Sequence, residues 1–164
     1  MAPATVVFVC TGNTCRSPLA AALAARRWSG DLAVASAGLQ AAEAQPAAEP
    51  ARIVAAERGC DLRAHRSRFL DDELLASADW IIGMTRSHVA QINARLRRRP
   101  PGAPTPRVGL LGLPNADLAG RVTPADEEVA DPFGASVETY RTVADQLERL
   151  LAAWDESFSG ATGA

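Results

Sequence analysis

Cys10 and Arg16, which are separated by five residues, are the side chains best suited to do chemistry near the start of the chain. A cysteine attacks an electrophile as the thiolate, and an ordinary thiol with a pKa of about 8.5 is mostly protonated at neutral pH. A helix N-terminus or a nearby cation lowers the pKa of such a thiol to roughly 3.5–7.5. Arg16 supplies the cation, and its planar guanidinium can grip two oxygens of a phosphoryl group. The pair therefore favours nucleophilic chemistry at phosphorus.

The segment between these two residues is suited to bind an oxyanion. The apolar run 6–9 predicts a buried strand that ends at Cys10. Ser17 and Pro18 predict the start of a helix, as an N-cap followed by a first helical residue. A tight turn between strand and helix directs backbone N–H groups inward, at a helix terminus that favours negative charge. The predicted phosphate-binding residues are Thr11, Gly12, Asn13, Thr14, Cys15, Arg16 and Ser17.

The Cys-x5-Arg spacing alone is a weak signal, because it occurs a second time from Cys60 to Arg66. That copy has no internal glycine, no strand before it and no Ser-Pro after it, so we predict no site there. For Cys10 the alternative is a buried structural thiol at a strand end. The strand, the turn and the cap together favour the catalytic interpretation.

Asp131 is the candidate general acid that protonates the leaving group. Pro132 restrains it to extended geometry, and the polar segment 123–130 precedes it. The alternative is an ordinary Asp-Pro turn, and the residues alone leave both interpretations open. His65 and His88 are predicted to be structural or solvent-facing.

A zinc site is not expected, since there is no Cys-x2-Cys pair and Arg16 would repel the ion. We therefore predict no metal and no cofactor.

The run Val-Cys-Thr-Gly-Asn-Thr-Cys-Arg-Ser-Pro resembles the phosphate loop of the low-molecular-weight protein tyrosine phosphatase family. The resemblance implies a hydrolase with a cysteinyl-phosphate intermediate, Asp131 as its general acid and phosphorylated proteins as its substrates. The cysteine loop, Met84-Thr85 and Asp-Pro-Phe-Gly are most similar to the bacterial protein-arginine phosphatases. The resemblance continues in the family's order at Ser36-Ala37-Gly38, at Gly59 and His65-Arg66-Ser67, at Ala78-Asp79, and at Asp131-Pro132-Phe133-Gly134.

Thr14 and Phe133 are predicted to set substrate preference. Tyrosine-directed members of the family usually carry two tyrosines after Asp-Pro and a branched apolar residue where this chain has Thr14. Here the single aromatic Phe133 is followed by Gly134, and Thr14 places a hydroxyl beside the nucleophile. The resemblance thus implies phosphoarginine in proteins as the preferred substrate, with phosphotyrosine as the alternative.

Cys15 shares the loop with Cys10, and we hypothesise that peroxide joins the two in a reversible disulfide. Such a bond would protect Cys10 from irreversible oxidation. The alternative, that Cys15 is only a small loop residue, stays open.

Two other classes of protein are disfavoured. An arsenate reductase of the same fold would need further cysteines in the middle of the chain, and residues 77–95 contain none. A non-catalytic phosphoprotein-binding module would have lost Cys10, Arg16 or Asp131, and all three are present.

The composition limits the kinds of partner and the cellular location that we expect for this chain. A formal net charge of −2 argues against nucleic acid as the main partner. No apolar run is long enough for a membrane span, and the N-terminus lacks a signal-peptide pattern. Three cysteines without paired spacing indicate a reducing cytoplasm. We expect a monomer with one phosphatase domain over residues 1–157 and a disordered tail over 158–164.

Strands and helices alternate along the chain, which predicts a three-layer α/β sandwich: a four-stranded parallel sheet with helices on both faces. Ligands of such sheets bind beyond the carboxyl ends of the strands, which is where the Cys10 loop would lie. The predicted strands cover residues 5–10, 32–36, 80–84 and 108–111, and the predicted helices 18–28, 51–58, 71–76, 87–97 and 136–155.

Overall fold

A computed structural model describes residues 2–30, 32–121 and 127–158. Four parallel strands form one sheet in the order β2-β1-β3-β4, which confirms the predicted sheet. The strands are β1 (Ala4–Cys10), β2 (Leu32–Gly38), β3 (Trp80–Gly83) and β4 (Arg107–Leu110). The helices are α1 (Arg16–Arg27), α2 (Glu49–Glu57), α3 (Asp72–Ser77), α4 (Arg86–Arg97), α5 (Val137–Ala152) and α6 (Asp155–Phe158).

The central strand β1 is buried on both faces, as its unbroken apolar run predicts. Val6 and Phe8 belong to a core shared with α1, α2 and α5. Val7 and Val9 point to the opposite face, into a second core shared with α3 and α4. Successive side chains of a strand alternate between faces, so one apolar strand holds both helical layers. The predicted three-layer sandwich is confirmed.

The register of the sheet brings the last residues of β1 and β2 together. Cys10 pairs with Gly38, and Cys10 is followed at once by the turn into α1. The predicted cap of α1 is wrong: the helix begins at Arg16, and Cys15 occupies the N-cap position without a side-chain hydrogen bond. Ser17 lies inside the first turn of α1, and its hydroxyl contacts Cys10 at the end of β1.

The C-terminal region packs differently from the prediction. The single predicted helix over 136–155 is two helices, because α5 ends at Ala152 and α6 begins at Asp155. Phe158, which we assigned to the tail, is buried against the rings of Trp28, Trp80 and Trp154. The predicted end of the domain at residue 157 is therefore too early. The rest of the predicted tail, residues 159–164, lies outside the described residues.

Gly38 supports the loop after β1 from below, and replacing it tests this packing. A Cβ at residue 38 would lie 2.6 Å from the carbonyl oxygen of Thr11 and 2.8 Å from the Cβ of Ala41. We expect Gly38→Ala to lower the free energy of unfolding by about 1–3 kcal/mol, because such overpacking shifts the backbone. Urea denaturation followed by circular dichroism measures the change.

Gly12→Ala is the matched control for this experiment. A Cβ at Gly12 would meet nothing closer than the Thr14 hydroxyl at 3.8 Å, and the expected change is below about 0.5 kcal/mol. Equal stability of Gly38→Ala and wild type would show that the loop does not rest on β2.

Candidate active site

A cavity of about 190 Å³ opens at the carboxyl end of β1. It brings together the three predicted catalytic side chains and both residues predicted to set substrate preference. Two other predicted loop residues, Asn13 and Ser17, are fully buried behind it. The residues that line the cavity are Cys10, Thr11, Gly12, Thr14, Cys15, Arg16, Asp131 and Phe133.

Among the described residues, the backbone of residues 11–15 has unpaired N–H groups and mostly paired carbonyl oxygens. Four of the five carbonyls of residues 10–14, all except that of Gly12, accept hydrogen bonds from donors outside the loop. Within the described ranges no acceptor takes the N–H groups of residues 11–15. Unpaired amides at the end of a helix bind an oxyanion. The outside donors are Leu39 N to Cys10 O (3.0 Å), Gln40 N to Thr11 O (2.9 Å), His65 Nε2 to Asn13 O (2.8 Å) and Ala48 N to Thr14 O (2.9 Å).

Asn13 holds the loop in shape from inside. Its backbone is left-handed, with a φ of 56°, which asparagine tolerates better than most residues. Its amide nitrogen donates to the hydroxyls of Ser17 (2.8 Å) and Ser36 (2.9 Å). Its amide oxygen accepts from the backbone N–H of Arg68 at 2.9 Å. All the polar atoms of the side chain are thus used, and they tie the loop to α1, to β2 and to the segment after residue 67.

The Cys10 sulfur lies at the floor of the cavity and is almost fully buried. The Ser17 hydroxyl is 2.9 Å from this sulfur and also accepts from the Asn13 amide. A thiolate can only accept a hydrogen bond, so the Ser17 hydroxyl would donate to Cys10 in its ionised form. This contact places the Ser17 hydroxyl at the end of β1, although Ser17 does not cap α1.

The Arg16 guanidinium is buried, with only 4% of the residue exposed. Its Nη1 donates to the carbonyl oxygen of Val129 at 3.0 Å, which fixes the plane of the group. Its Nη2 lies 3.6 Å from Asp131 Oδ2, while its Nε has no hydrogen-bond partner among the described residues. An unsatisfied buried donor costs about 1–3 kcal/mol and is expected where a ligand supplies the missing acceptor.

Asp131 reaches the cavity from the segment before α5. Its side chain is 52% exposed, and its Oδ1 accepts from the backbone N–H of Phe133 at 3.1 Å. The Phe133 ring is 78% exposed at the mouth of the cavity. Gly134 continues the turn with a φ of 75°, and a Cβ at this residue would meet nothing within 4 Å. The carboxyl group is therefore accessible both to a leaving group and to water.

The two histidines behave differently from one another. His65 donates from Nε2 to the Asn13 carbonyl at 2.8 Å, which confirms the structural role predicted for it. His88 was predicted to be unremarkable, but it is buried with Nε2 3.0 Å from the Thr11 hydroxyl. Its Nδ1 accepts from the backbone N–H of Thr85 at 3.2 Å. Burial, aided by Arg16, lowers the pKa of His88 to about 4, so the imidazole is neutral at neutral pH.

A sequence signal for His88 did exist. Thr85 and His88 have the spacing of a capping box, with histidine in the place of glutamate or glutamine, directly after β3. A residue that starts a helix at this edge of the sheet lies close to the loop after β1.

Cys15 is buried, and its sulfur lies 3.0 Å from the Tyr140 hydroxyl. Burial and the neighbouring Cys15 raise the pKa of Tyr140.

The second Cys-x5-Arg segment, Cys60 to Arg66, does not form a comparable anion-binding loop. The Cys60 thiol contacts the Ala22 carbonyl at 3.6 Å, and burial raises its pKa. Arg66 donates to carbonyls of its own segment.

The described residues contain neither a cluster of metal ligands nor a membrane-spanning helix. No group of three or more histidine, cysteine, aspartate or glutamate side chains is arranged to hold a metal ion there. None of the helices in this part of the chain is long and apolar enough to cross a membrane.

Comparison with known proteins agrees with this geometry. Residues 5–161 match the family described as low molecular weight phosphotyrosine protein phosphatase. A protein-arginine-phosphatase from Geobacillus stearothermophilus is 38% identical over 149 residues, which cover 91% of this chain and 92% of that protein. The low molecular weight protein-tyrosine-phosphatase Etp of Escherichia coli (strain K12) is 32% identical over 154 residues, 94% of each chain. The structure of the YwlE arginine phosphatase from Geobacillus stearothermophilus superposes with a TM-score of 0.78 at 35% identity, covering 96% of this chain and 94% of that one. The chain therefore belongs to the low-molecular-weight phosphotyrosine protein phosphatase family.

Proposed function

We propose that this phosphatase hydrolyses phosphoarginine in proteins, through a phosphoryl group carried on Cys10. The proposal rests on the set of side chains that line the cavity at the end of β1. A buried thiol, a buried arginine with an unsatisfied Nε and an accessible carboxyl group line it together with a hydroxyl and one open aromatic ring. The first three serve phosphoryl transfer, and the last two suit a guanidinium leaving group.

In the first step the Cys10 sulfur attacks phosphorus, the S–P bond forms, and the P–N bond to the arginine side chain breaks. The backbone N–H groups of residues 11–15 and the Arg16 Nε–H would hold the three equatorial oxygens while charge spreads over them. The Ser17 hydroxyl stabilises the sulfur anion before attack. Asp131 gives its proton to the departing nitrogen, so the product leaves as an ordinary guanidinium side chain.

In the second step a water molecule attacks the phosphocysteine. Asp131, now ionised, takes a proton from this water as the O–P bond forms and the S–P bond breaks. Inorganic phosphate leaves and Cys10 returns as the thiolate. The Arg16 contact with Val129 keeps the guanidinium in place throughout, so the second step needs no rearrangement of the loop.

The walls of the cavity support arginine rather than tyrosine as the phosphorylated residue. Thr14 places a hydroxyl, which lies 3.6 Å from the Cys15 sulfur, on the wall of the cavity. A hydroxyl can accept a hydrogen bond from a guanidinium N–H group, whereas the edge of a phenyl ring offers it no donor of that strength. The exposed Phe133 ring can stack on the planar guanidinium.

Phosphotyrosine is the second candidate substrate, because the family includes tyrosine phosphatases such as the Escherichia coli relative. The decisive experiment compares kcat/KM on two peptides of equal sequence, one with phosphoarginine and one with phosphotyrosine. We expect wild type to prefer phosphoarginine, and Thr14→Ile to reduce that preference by about tenfold or more, since one hydrogen bond to a charged group is lost.

Thr14→Ser keeps the hydroxyl and is expected to keep the preference. Cys10→Ser is expected to abolish turnover of both peptides, which shows that the measured activity comes from this cavity. A preference of wild type for phosphotyrosine, or an unchanged ratio in Thr14→Ile, would contradict the assignment of phosphoarginine.

We also propose that Cys15 protects Cys10 from irreversible oxidation. Peroxide would convert the Cys10 thiolate to a sulfenic acid, and the Cys15 thiol would displace water from it to form a disulfide. In support, both cysteines belong to the residues that line the same cavity, and both are free thiols. A dithiol reductant would restore the two thiols.

Mass spectrometry after peroxide treatment tests this protection. Wild type is expected to lose two hydrogens at a Cys10–Cys15 linkage and to regain activity with dithiothreitol, whereas Cys15→Ser is expected to accumulate sulfinic acid at Cys10. Sulfinic acid at Cys10 in the wild type, with no linkage, would leave Cys15 as only a small loop residue.

The setting proposed for this activity is a monomer that acts on phosphorylated proteins in a reducing cytoplasm. A nucleophilic thiol must stay reduced to work, and all three cysteines are free thiols. A net charge of −2 gives no electrostatic attraction toward nucleic acid.

A further inference from the structure

We infer that the Thr11 hydroxyl donates a hydrogen bond to the phosphoryl group of the substrate, and that His88 is the positioning residue that fixes the direction of this bond. The inference rests on the phosphatase activity proposed for the same cavity. It adds one side chain that touches the substrate and one that acts through it.

The hydrogen bonds of His88 fix the position of its single ring proton. The backbone N–H of Thr85 can only donate, and it lies 3.2 Å from Nδ1, so Nδ1 carries the lone pair. A neutral imidazole then bears its proton on Nε2. That nitrogen lies 3.0 Å from the Thr11 hydroxyl oxygen, which therefore accepts the bond from His88.

The neutral state of His88 follows from its surroundings. The ring is buried, and the charged groups that act on it are Arg16, Asp131 and Glu128. Burial and Arg16 disfavour the imidazolium, whereas the two carboxylates favour it, and the balance lowers the pKa of His88 to about 4. A second ring proton would also face the N–H of Thr85 and break the cap of α4.

The Thr11 hydroxyl is left with its own proton to give. A hydroxyl that accepts from one side donates in another direction, and within residues 2–30, 32–121 and 127–158 no acceptor takes this proton. Thr11 is exposed and lines the cavity beside Cys10, Arg16 and Asp131. An anionic oxygen of a ligand in the cavity would be the acceptor for the Thr11 hydroxyl proton.

These hydrogen bonds therefore form a series in which every donor is fixed: Thr85 N–H donates to His88, and His88 donates to Thr11. The series ends with the Thr11 hydroxyl, which lines the cavity. The Thr11 hydroxyl then acts like the backbone amides of the loop. It is a donor that is already oriented before the reaction, so no free energy is spent on reorienting it. Without His88 the hydroxyl could turn and accept from the substrate side, where only a donor is useful. Among the described residues, Thr11 is the hydrogen-bond link from His88 to the cavity.

A double-mutant cycle on kcat/KM tests this arrangement, with p-nitrophenyl phosphate and a phosphoarginine peptide as substrates. Thr11→Val removes the hydroxyl at nearly constant shape, and we expect a fall of about tenfold to a hundredfold. Thr11→Ser retains the hydroxyl and is expected to keep most of the activity.

Two His88 variants separate its two hydrogen bonds. In His88→Asn an amide oxygen can replace Nδ1 as the cap acceptor, but no donor reaches Thr11; in His88→Gln an amide nitrogen can reach Thr11. We expect His88→Asn to lower kcat/KM about threefold to tenfold in the wild-type background and by less than about twofold in Thr11→Val. His88→Gln is expected to recover part of the loss.

The outcomes are distinguishable. Wild type that hydrolyses neither substrate would overturn the proposed function and this inference with it. Hydrolysis by wild type with equal activity in Thr11→Val would overturn the inference alone, as would an equal effect of His88→Asn in both backgrounds. If circular dichroism shows that His88→Asn does not fold, the comparison of Thr11→Val with Thr11→Ser decides the matter, because Thr11 is exposed and both variants keep the core.

Discussion

The rest of the site depends on the three hydrogen bonds that the buried side chain of Asn13 makes. A left-handed backbone costs a residue other than glycine roughly 1–2 kcal/mol, and three hydrogen bonds at about 0.5–1.5 kcal/mol each offset this cost. Their partners, Ser17, Ser36 and the N–H of Arg68, come from three different parts of the chain. The loop keeps its amides toward the cavity only while the sheet and α1 are correctly assembled, so the folded state and the anion site form together.

The parallel sheet explains how such distant residues meet. Each strand ends at the same edge, and the segment that follows contributes one part of the cavity. β1 delivers Cys10, β2 delivers Gly38 beneath the loop, and the junction of β3 with α4 delivers His88. Asp131 arrives from the segment before α5 and contacts Arg16 across the mouth of the cavity. Chemistry is confined to the edge, while both faces of the sheet are left for the two apolar cores.

The sequence predicted those parts whose signal is local. An unbroken apolar run defines β1, and the spacing of Cys10 and Arg16 with a glycine between them defines the loop. The role of Ser17 was misjudged, because a serine before proline is usually a cap, and only the three-dimensional approach of the Cys10 sulfur shows its other use. His88 was missed because its contact with Thr11 spans 77 residues and because its capping-box spacing with Thr85 was not recognised. Phe158 was placed in a tail because two of the three rings around it, Trp28 and Trp80, are remote in sequence.

The most direct test asks whether the loop amides bind an oxyanion and whether Asn13 makes them do so. Inorganic phosphate can be titrated into the ¹⁵N-labelled wild type and into Asn13→Ala, with the amide resonances of residues 11–16 as the readout of Kd. The account predicts saturable shifts of these resonances in the wild type, and binding weaker by about tenfold or more in Asn13→Ala. Resonances that do not respond to phosphate in the wild type, or equal affinity in the two proteins, would contradict it.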